Sequence, residues 1–89
     1  MLEHRIVIRN KRGLHARAAS RLVAVASRYG CDVRVCTDDK EADGKNIMSV
    51  MMLAASPGTE ILLRADGDCA NAAMAAIIEL IENRFDEEE

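Results

Sequence analysis

The spacing of apolar residues changes repeatedly along this chain between a period of two, typical of strands, and a period near 3.6, typical of helices. Ile6 and Ile8 lie two positions apart on one face of a strand, whereas Ala70, Ala73 and Ile77 recur at helical spacing. The pattern predicts strands over residues 2–9, 31–37, 41–43 and 60–65, and helices over residues 16–29, 47–54 and 69–81. This order, β-α-β-β-α-β-α, indicates an α+β fold with one mainly antiparallel sheet and all helices on a single face.

The first helix has two distinct faces, and Gly30 is placed to end it. Its inner face is predicted at Ala19, Leu22, Val23 and Ala26. Its opposite face carries Arg17 together with three small residues, Ser20, Ala24 and Ser27. Because a solvated face more often carries lysine and glutamate, this face is predicted to lie against another protein.

The second helix is short, is capped by Asn46, and is apolar on nearly every side. A short helix cannot bury its whole circumference beneath a domain of this size. We assign Val50, Leu53 and Ala54 to the core. We assign Ile47, Met48 and Met51 to an exposed patch of the kind that marks a protein contact.

The residues from Asp68 onward indicate where the last helix begins and ends. Asp68 is predicted to cap it, and its core stripe consists of Ala70, Ala73, Met74, Ile77, Leu80 and Ile81. Phe85 is placed to close the end of this helix. The acidic residues 86–89 are predicted to be solvated.

Length and composition exclude several classes of protein. Eighty-nine residues, 49% of them apolar, suit one domain over residues 1–89 with an aliphatic core, since Tyr29 and Phe85 are the only aromatic residues. A net charge of −3 and the scarcity of aromatic residues argue against nucleic-acid binding. No apolar run approaches the ~18 residues of a membrane span, and no signal segment precedes the first strand, which predicts a cytoplasmic protein without membrane insertion.

The three cysteines do not form a recognisable metal or disulfide motif. Cys31, Cys36 and Cys69 are odd in number and have no CxxC spacing. This argues against a disulfide framework and against a zinc site, and we interpret them as free thiols in a reducing compartment. No metal or other cofactor is predicted.

The segment around His15 carries the strongest chemical signal. His15 stands between the first strand and the first helix, where the initial helical N–H groups have no intrahelical partners and the helix dipole is positive. Such a position binds anions, and an imidazole with an ordinary pKa near ~6.5 is a nucleophile at neutral pH. A phosphoryl group on His15 would meet the N–H groups of Ala16 and Arg17 and the guanidinium of Arg17.

The basic residues near this segment could attract an acidic protein surface. They are Arg5, Arg9, Lys11, Arg12, Arg17 and Arg21. The other histidine, His4, lies in a predicted strand and receives no role.

Two segments resemble the signatures of one bacterial family. Gly13-Leu14-His15-Ala16-Arg17 resembles the active-site motif of the histidine-containing phosphocarrier proteins (HPr) of the phosphoenolpyruvate-dependent phosphotransferase system. The segment from Gly44 to Met51 resembles the second signature of that family, and the similarity covers nearly the whole chain. One residue departs from the pattern: Ala18 stands where the family usually has proline.

The resemblance implies an open-faced β-sandwich with strand order 1-4-2-3, in which the first two helices lie side by side. It implies a carrier rather than an enzyme: enzyme I would phosphorylate His15 at Nδ1, and the group would pass to an enzyme IIA-type acceptor. Arg17 and the N–H groups of Ala16, Arg17 and Ala18 would bind the phosphoryl group. A monomer without cofactor is expected.

Asn46 and the acidic ending resemble the nitrogen-related, regulatory branch of the family more than the sugar-linked one. Carbohydrate uptake by the same chemistry is the alternative. An adaptor that binds partners through Ile47, Met48 and Met51 without being phosphorylated is another. A nucleic-acid-binding module is the least favoured, since its basic cluster lacks aromatic partners for bases.

Overall fold

The computed structural model describes residues 1–86. Its strands are β1 (Leu2–Val7), β2 (Asp32–Cys36), β3 (Glu41–Asp43) and β4 (Glu60–Asp66), and its helices are α1 (Ala16–Ala26), α2 (Ile47–Met51) and α3 (Ala70–Glu82). A short 3₁₀ turn follows at Arg84–Asp86. The predicted order of strands and helices is therefore confirmed, although α1 and α2 each end three residues earlier than their apolar spacing indicated.

The four strands form one antiparallel sheet in the order β1-β4-β2-β3. The centre of the sheet is β4, the last strand in the chain, which pairs with both β1 and β2. All three helices lie on one face of the sheet, and α1 packs against both α2 and α3. The strand order implied by the family resemblance, 1-4-2-3, is confirmed.

The core lies between the inner face of the sheet and the helices. Alternate strand residues point inward, as Val33 and Val35 do in β2 and as Ile61 and Leu63 do in β4. The predicted stripe of α3 is buried along its whole length. Phe85 is the one aromatic residue of this core and is fully buried.

The outer face of the sheet is charged. Arg64 of β4 bonds the carboxylates of Glu3 and Glu41 at 2.9 and 3.2 Å, and Arg5 pairs with Glu60 at 3.6 Å. Within each of these ion pairs, the two residues come from different strands. These exposed pairs line the open side of the sheet while the helices cover the other side.

Two predictions about helix ends are wrong. Ala54 is exposed, with a φ of +52°, because α2 ends at Met51 and the chain leaves the helix in a left-handed turn. Asp68 does not cap α3: Cys69 precedes the first helical residue, and its side chain makes no capping hydrogen bond. By contrast, Asn46 caps α2, where its Oδ1 accepts the Ser49 N–H at 3.1 Å.

Beyond α3, the structure is described as far as Asp86, which is exposed. Phe85 closes the domain beyond α3, as expected. The acidic residues 87–89 lie outside the described part of the chain.

Candidate functional site

The loop before α1 is closed by its own hydrogen bonds. The Gly13 N–H donates to the Asn10 carbonyl at 3.2 Å, and the Asn10 Nδ2 donates to the Gly13 carbonyl at 2.7 Å. Asn10 is fully buried, and Gly13 has a φ of +68°, a conformation that residues with a Cβ resist. The turn therefore has a single compact shape immediately before His15.

A second segment holds this loop from the side. The Leu14 N–H donates to the Ala55 carbonyl at 2.9 Å, and the Leu14 side chain is buried. A Cβ on Gly13 would lie 2.4 Å from the Ala55 carbonyl oxygen. The backbone on the N-terminal side of His15 is thus positioned by the segment that follows α2, which lies far away in sequence.

His15 is the N-cap residue of α1. Its backbone is extended (φ −76°, ψ −179°), its carbonyl accepts the Ala19 N–H at 2.8 Å, and its Nδ1 accepts the Arg17 N–H at 3.3 Å. This contact directs Nδ1 of the half-exposed ring toward the N-terminal, positive end of the helix.

The first turn of α1 is suited to an anion. It contains no acidic residue, and Ala16 and Arg17 are exposed. The Ala18 side chain is fully buried against the core. Ala18 is the third residue of the helix, and the next N–H, that of Ala19, is the first to donate to a carbonyl of the helix start, that of His15.

The structure brings together only part of the predicted basic cluster. Arg9, Lys11, Arg12 and Arg17 are exposed around the start of α1. Arg5 instead faces the outer side of the sheet, where it pairs with Glu60. Arg21 is half-buried, and its guanidinium donates to the Phe85 carbonyl. Including Arg5 in the cluster was therefore wrong, because its strand directs it to the outer face of the sheet. Arg21 follows Arg17 by one helical turn, and its guanidinium is engaged by the Phe85 carbonyl.

The helix α2 runs antiparallel to α1. Just before α2, the Lys45 Nζ donates to the Tyr29 carbonyl beyond the end of α1, at 2.7 Å. Just after α2, the Ala55 carbonyl accepts the N–H of Leu14 before the start of α1. The C-terminal end of α2 therefore lies toward His15, and its N-terminal end lies away from it.

The exposed apolar residues of α2 differ from the predicted patch at one position. Ile47 and Met48 are exposed, whereas Met51 is half-buried and packs against the core. Met52, which the sequence reasoning did not assign, has an exposed fraction of 70%. We call Ile47, Met48 and Met52 the α2 surface. The signal for Met52 was present, because it lies four residues after Met48 on the same side of a helix.

The predicted contact face of α1 is exposed as expected. Ser20, Ala24 and Ser27 are all accessible, and together with Arg17 they form the side of α1 away from the core. The face begins within one turn of His15. His15, this small-residue face and the α2 surface thus lie on the helical side of the molecule.

The described residues do not assemble a metal site. Over residues 1–86, no three of the His, Cys, Asp and Glu side chains are grouped so that they could hold a metal ion. In that same range, none of the helices has the length and apolarity needed to cross a membrane.

Comparison with known proteins identifies the family of this chain. Residues 2–83 match the family model described as the PTS HPr component phosphorylation site. The chain belongs to the HPr family. Relatives from Pseudomonas aeruginosa and Xylella fastidiosa, both named phosphocarrier protein HPr, are 54% and 48% identical to it. The alignments cover 94% of both chains for the first and 99% of both for the second.

Solved HPr structures have the same fold. The crystal structure of HPr-C-His from Thermoanaerobacter tengcongensis superposes with a TM-score of 0.95 at 42% identity, and the match covers the whole of both chains. A less similar relative, from Shewanella violacea, is named phosphocarrier protein NPr and is 37% identical over 97% of this chain and 94% of its own.

Proposed function

We propose that this HPr-family protein accepts a phosphoryl group on His15 Nδ1 from enzyme I and passes it to an enzyme IIA-type acceptor. The observation that carries the proposal is the hydrogen bond from the Arg17 N–H to His15 Nδ1, at 3.3 Å. It directs Nδ1 toward the N-terminus of a helix, where charge on a bound phosphoryl group is stabilised.

The transfer needs little movement in this protein. The Nδ1 lone pair forms the new N–P bond as the bond from phosphorus to the donor group breaks. The Arg17 N–H then exchanges its ring acceptor for a phosphoryl oxygen. The N–H groups of Ala16 and Ala18 face the same end of the helix, and the Arg17 guanidinium supplies a mobile positive charge.

The chain acts in this scheme as a protein substrate of other enzymes rather than as an enzyme. It would function in the cytoplasm as a monomer that docks alternately on its donor and its acceptor. The docking face would consist of the α2 surface with Ser20, Ala24 and Ser27, because this face adjoins His15 and joins small exposed residues to adaptable methionines.

The acceptor is proposed to belong to the nitrogen-related, regulatory branch. Asn46 and the acidic ending support this branch, as does the similarity to the relative named NPr. The more similar relatives are named HPr, so the competing proposal is an acceptor that serves carbohydrate uptake. Incubating the phosphorylated protein with purified acceptors of each kind distinguishes the two, since the faster transfer identifies the branch.

The central experiment compares the two histidines. The protein is incubated with enzyme I, Mg²⁺ and phosphoenolpyruvate, and its intact mass is measured before and after brief acid treatment. We expect one acid-labile phosphoryl group on the unmodified protein and on His4→Ala, and none on His15→Ala. His4 is exposed in β1 and provides the matched control.

Two outcomes would contradict the proposal. If His15→Ala keeps its acid-labile phosphate, the acceptor is another residue. If the unmodified protein binds enzyme I but gains no phosphate, the adaptor interpretation is correct and the exposed methionines alone carry the function.

A further inference from the structure

Two cysteines that are remote in sequence meet at the end of the molecule away from His15. Cys31 lies between α1 and β2, and Cys69 immediately precedes α3, 38 residues later. The Cys31 N–H donates to the Cys69 Sγ at 3.1 Å. The turn that leads to Cys69 also packs closely on Cys31, since a Cβ on Gly67 would lie 2.8 Å from the Cys31 Cβ.

The two thiols occupy unequal environments. Cys31 has an exposed fraction of 5%, and its burial raises the pKa of its thiol. Cys69 is half-exposed, and the hydrogen bond from the Cys31 thiol lowers its pKa. Backbone N–H groups of Cys31, Gly30 and Cys69 lower it further, against the opposing effect of burial. A thiolate at a helix N-terminus is also favoured by the helix dipole.

We propose that Cys31 and Cys69 form a redox-active pair that closes reversibly to a disulfide, with Cys69 as the reacting thiolate and Cys31 as the resolving thiol. With a peroxide as oxidant, the Cys69 thiolate attacks one peroxide oxygen, the O–O bond breaks, and hydroxide leaves. The Cys31 sulfur then attacks the resulting sulfenic acid, the S–S bond forms, and the sulfenic oxygen leaves as water.

The pair is structurally separate from the phosphorylation site. His15 starts α1, and Cys31 follows the other end of that helix, whose 11 residues span roughly 16 Å. The bond would join the start of β2 to the start of α3 without crossing the proposed docking face. Oxidation is therefore expected to stabilise the fold while leaving phosphorylation of His15 unchanged, so the pair and the proposed function fail independently.

The third cysteine supplies a control. Cys36 lies in β2 on the outer face of the sheet, where burial raises the pKa of its thiol and the nearby Glu41 carboxylate raises it further. It pairs with neither of the other two. The Cys36→Ser variant keeps the proposed pair, and Cys31→Ser keeps the reacting thiol while removing the resolving one.

The test exposes the protein, Cys36→Ser and Cys31→Ser to hydrogen peroxide and measures intact mass, peptide linkage and melting temperature. We expect the first two to lose the mass of two hydrogen atoms, to yield a Cys31–Cys69 linked peptide, and to gain at least ~5 °C in melting temperature. Dithiothreitol should reverse these changes. Cys31→Ser should instead stop at a sulfenic acid that dimedone traps on Cys69.

Three results would overturn the proposal. The first is oxidation of Cys69 in the unmodified protein to a sulfinic acid without any linkage. The second is a linked peptide that contains Cys36. The third is reaction of all three thiols with iodoacetamide after denaturation of the peroxide-treated protein, which would show that no disulfide had formed.

Discussion

At the scale of single residues, the position of His15 depends on neighbours that cannot themselves take part in its chemistry. Gly13 adopts a φ of +68° directly against the Ala55 carbonyl, and Asn10 closes the same turn from inside the protein. These contacts orient the backbone that carries the imidazole. Substitutions there should therefore affect both stability and phosphorylation.

Gly13→Ala tests this dependence. The new Cβ would occupy a left-handed backbone conformation, which costs about 1–2 kcal/mol, and would also overlap the Ala55 carbonyl oxygen. We expect the free energy of unfolding to fall by at least ~2 kcal/mol in urea titrations, and phosphorylation by enzyme I to slow because the loop must move.

Two other glycines separate the cost of the left-handed backbone conformation from the cost of the overlap with Ala55. Gly58 has a φ of +89° but open space around a Cβ, so Gly58→Ala should show the conformational cost of about 1–2 kcal/mol alone. Gly30 has neither constraint, so Gly30→Ala should change stability little. An effect of Gly13→Ala no larger than that of Gly58→Ala would show that the contact with Ala55 is unimportant.

Ala18→Pro tests the contribution of one N–H at the start of α1. Proline at the third helical position removes no intrahelical hydrogen bond, and its restricted φ stabilises by about 0.4–1 kcal/mol through the unfolded state. Phosphorylation should change little, because Ala16 and Arg17 keep their N–H groups. Rates of transfer from enzyme I and thermal unfolding provide the measurements.

The transfer rate and the thermal stability of Ala18→Pro distinguish two ways in which this prediction could be wrong. Because Ala18 is fully buried, a loss of stability would mean that the core has no room for the proline ring. A selective loss of transfer at unchanged stability would mean that the Ala18 N–H binds the phosphoryl group or a partner.

At the scale of elements, α2 divides its apolar residues between the core and the surface within little more than one turn. Val50 is fully buried and Met51 packs against the core, whereas Met48 and Met52 have exposed fractions of 62% and 70%. The helix ends at Met51, and the chain then passes through a left-handed conformation at Ala54. The same short segment thus supplies packing and a candidate docking surface.

Met48→Glu and Met51→Glu form a matched pair on this helix. Met48→Glu should leave the urea midpoint almost unchanged and weaken binding to enzyme I by about tenfold or more, because its side chain loses apolar contacts only in the complex. Met51→Glu should lower stability by at least ~1 kcal/mol, because it places a charge against the core. Calorimetric titration and urea unfolding measure the two effects.

The comparison of binding and stability between the two variants shows which methionine belongs to the docking face. Equal loss of binding with no loss of stability in both variants would mean that Met51 belongs to the docking face, as its sequence position indicated. Unfolding as the main effect of Met48→Glu would remove Met48 from that face.

At the scale of the whole molecule, the end of the chain closes the core that the sheet and helices leave open. Three successive residues, Arg84 to Asp86, have φ values between +54° and +62°, a conformation that L-residues resist. The turn is held by the full burial of Phe85 and by the Arg21 guanidinium, which donates to the Phe85 carbonyl. This closure links α1 with the end of α3.

Phe85→Ala should therefore be among the most destabilising substitutions in the protein. Truncation of a buried phenylalanine costs about 3–5 kcal/mol, a large fraction of the ~5–15 kcal/mol that stabilises a typical domain. Phe85→Leu, which keeps most of the volume, should cost less than about 1.5 kcal/mol. Chemical denaturation of the two variants checks this, and a cost below ~1 kcal/mol for Phe85→Ala would contradict the role of the turn.

Features that rest on local periodicity and local chemistry could be predicted from the residues alone. Alternating residues such as Val33 and Val35 identified the strands, the stripe from Ala70 to Ile81 identified the last helix, and Asn46 was recognised as a cap. His15 was likewise placed at a helix start from its neighbours alone. Each of these depends on residues within a few positions of one another, which a period or a capping preference can reveal.

Features that depend on contacts between remote segments could not be predicted in this way. Periodicity could not order the strands, and it could not show that Ala55 supports the loop before His15 or that Arg21 binds the Phe85 carbonyl. It also could not divide the apolar residues of α2 or bring Cys31 to Cys69. Contacts between distant parts of the chain arise from how the sheet and helices pack, because a local pattern specifies a face and leaves open what covers it.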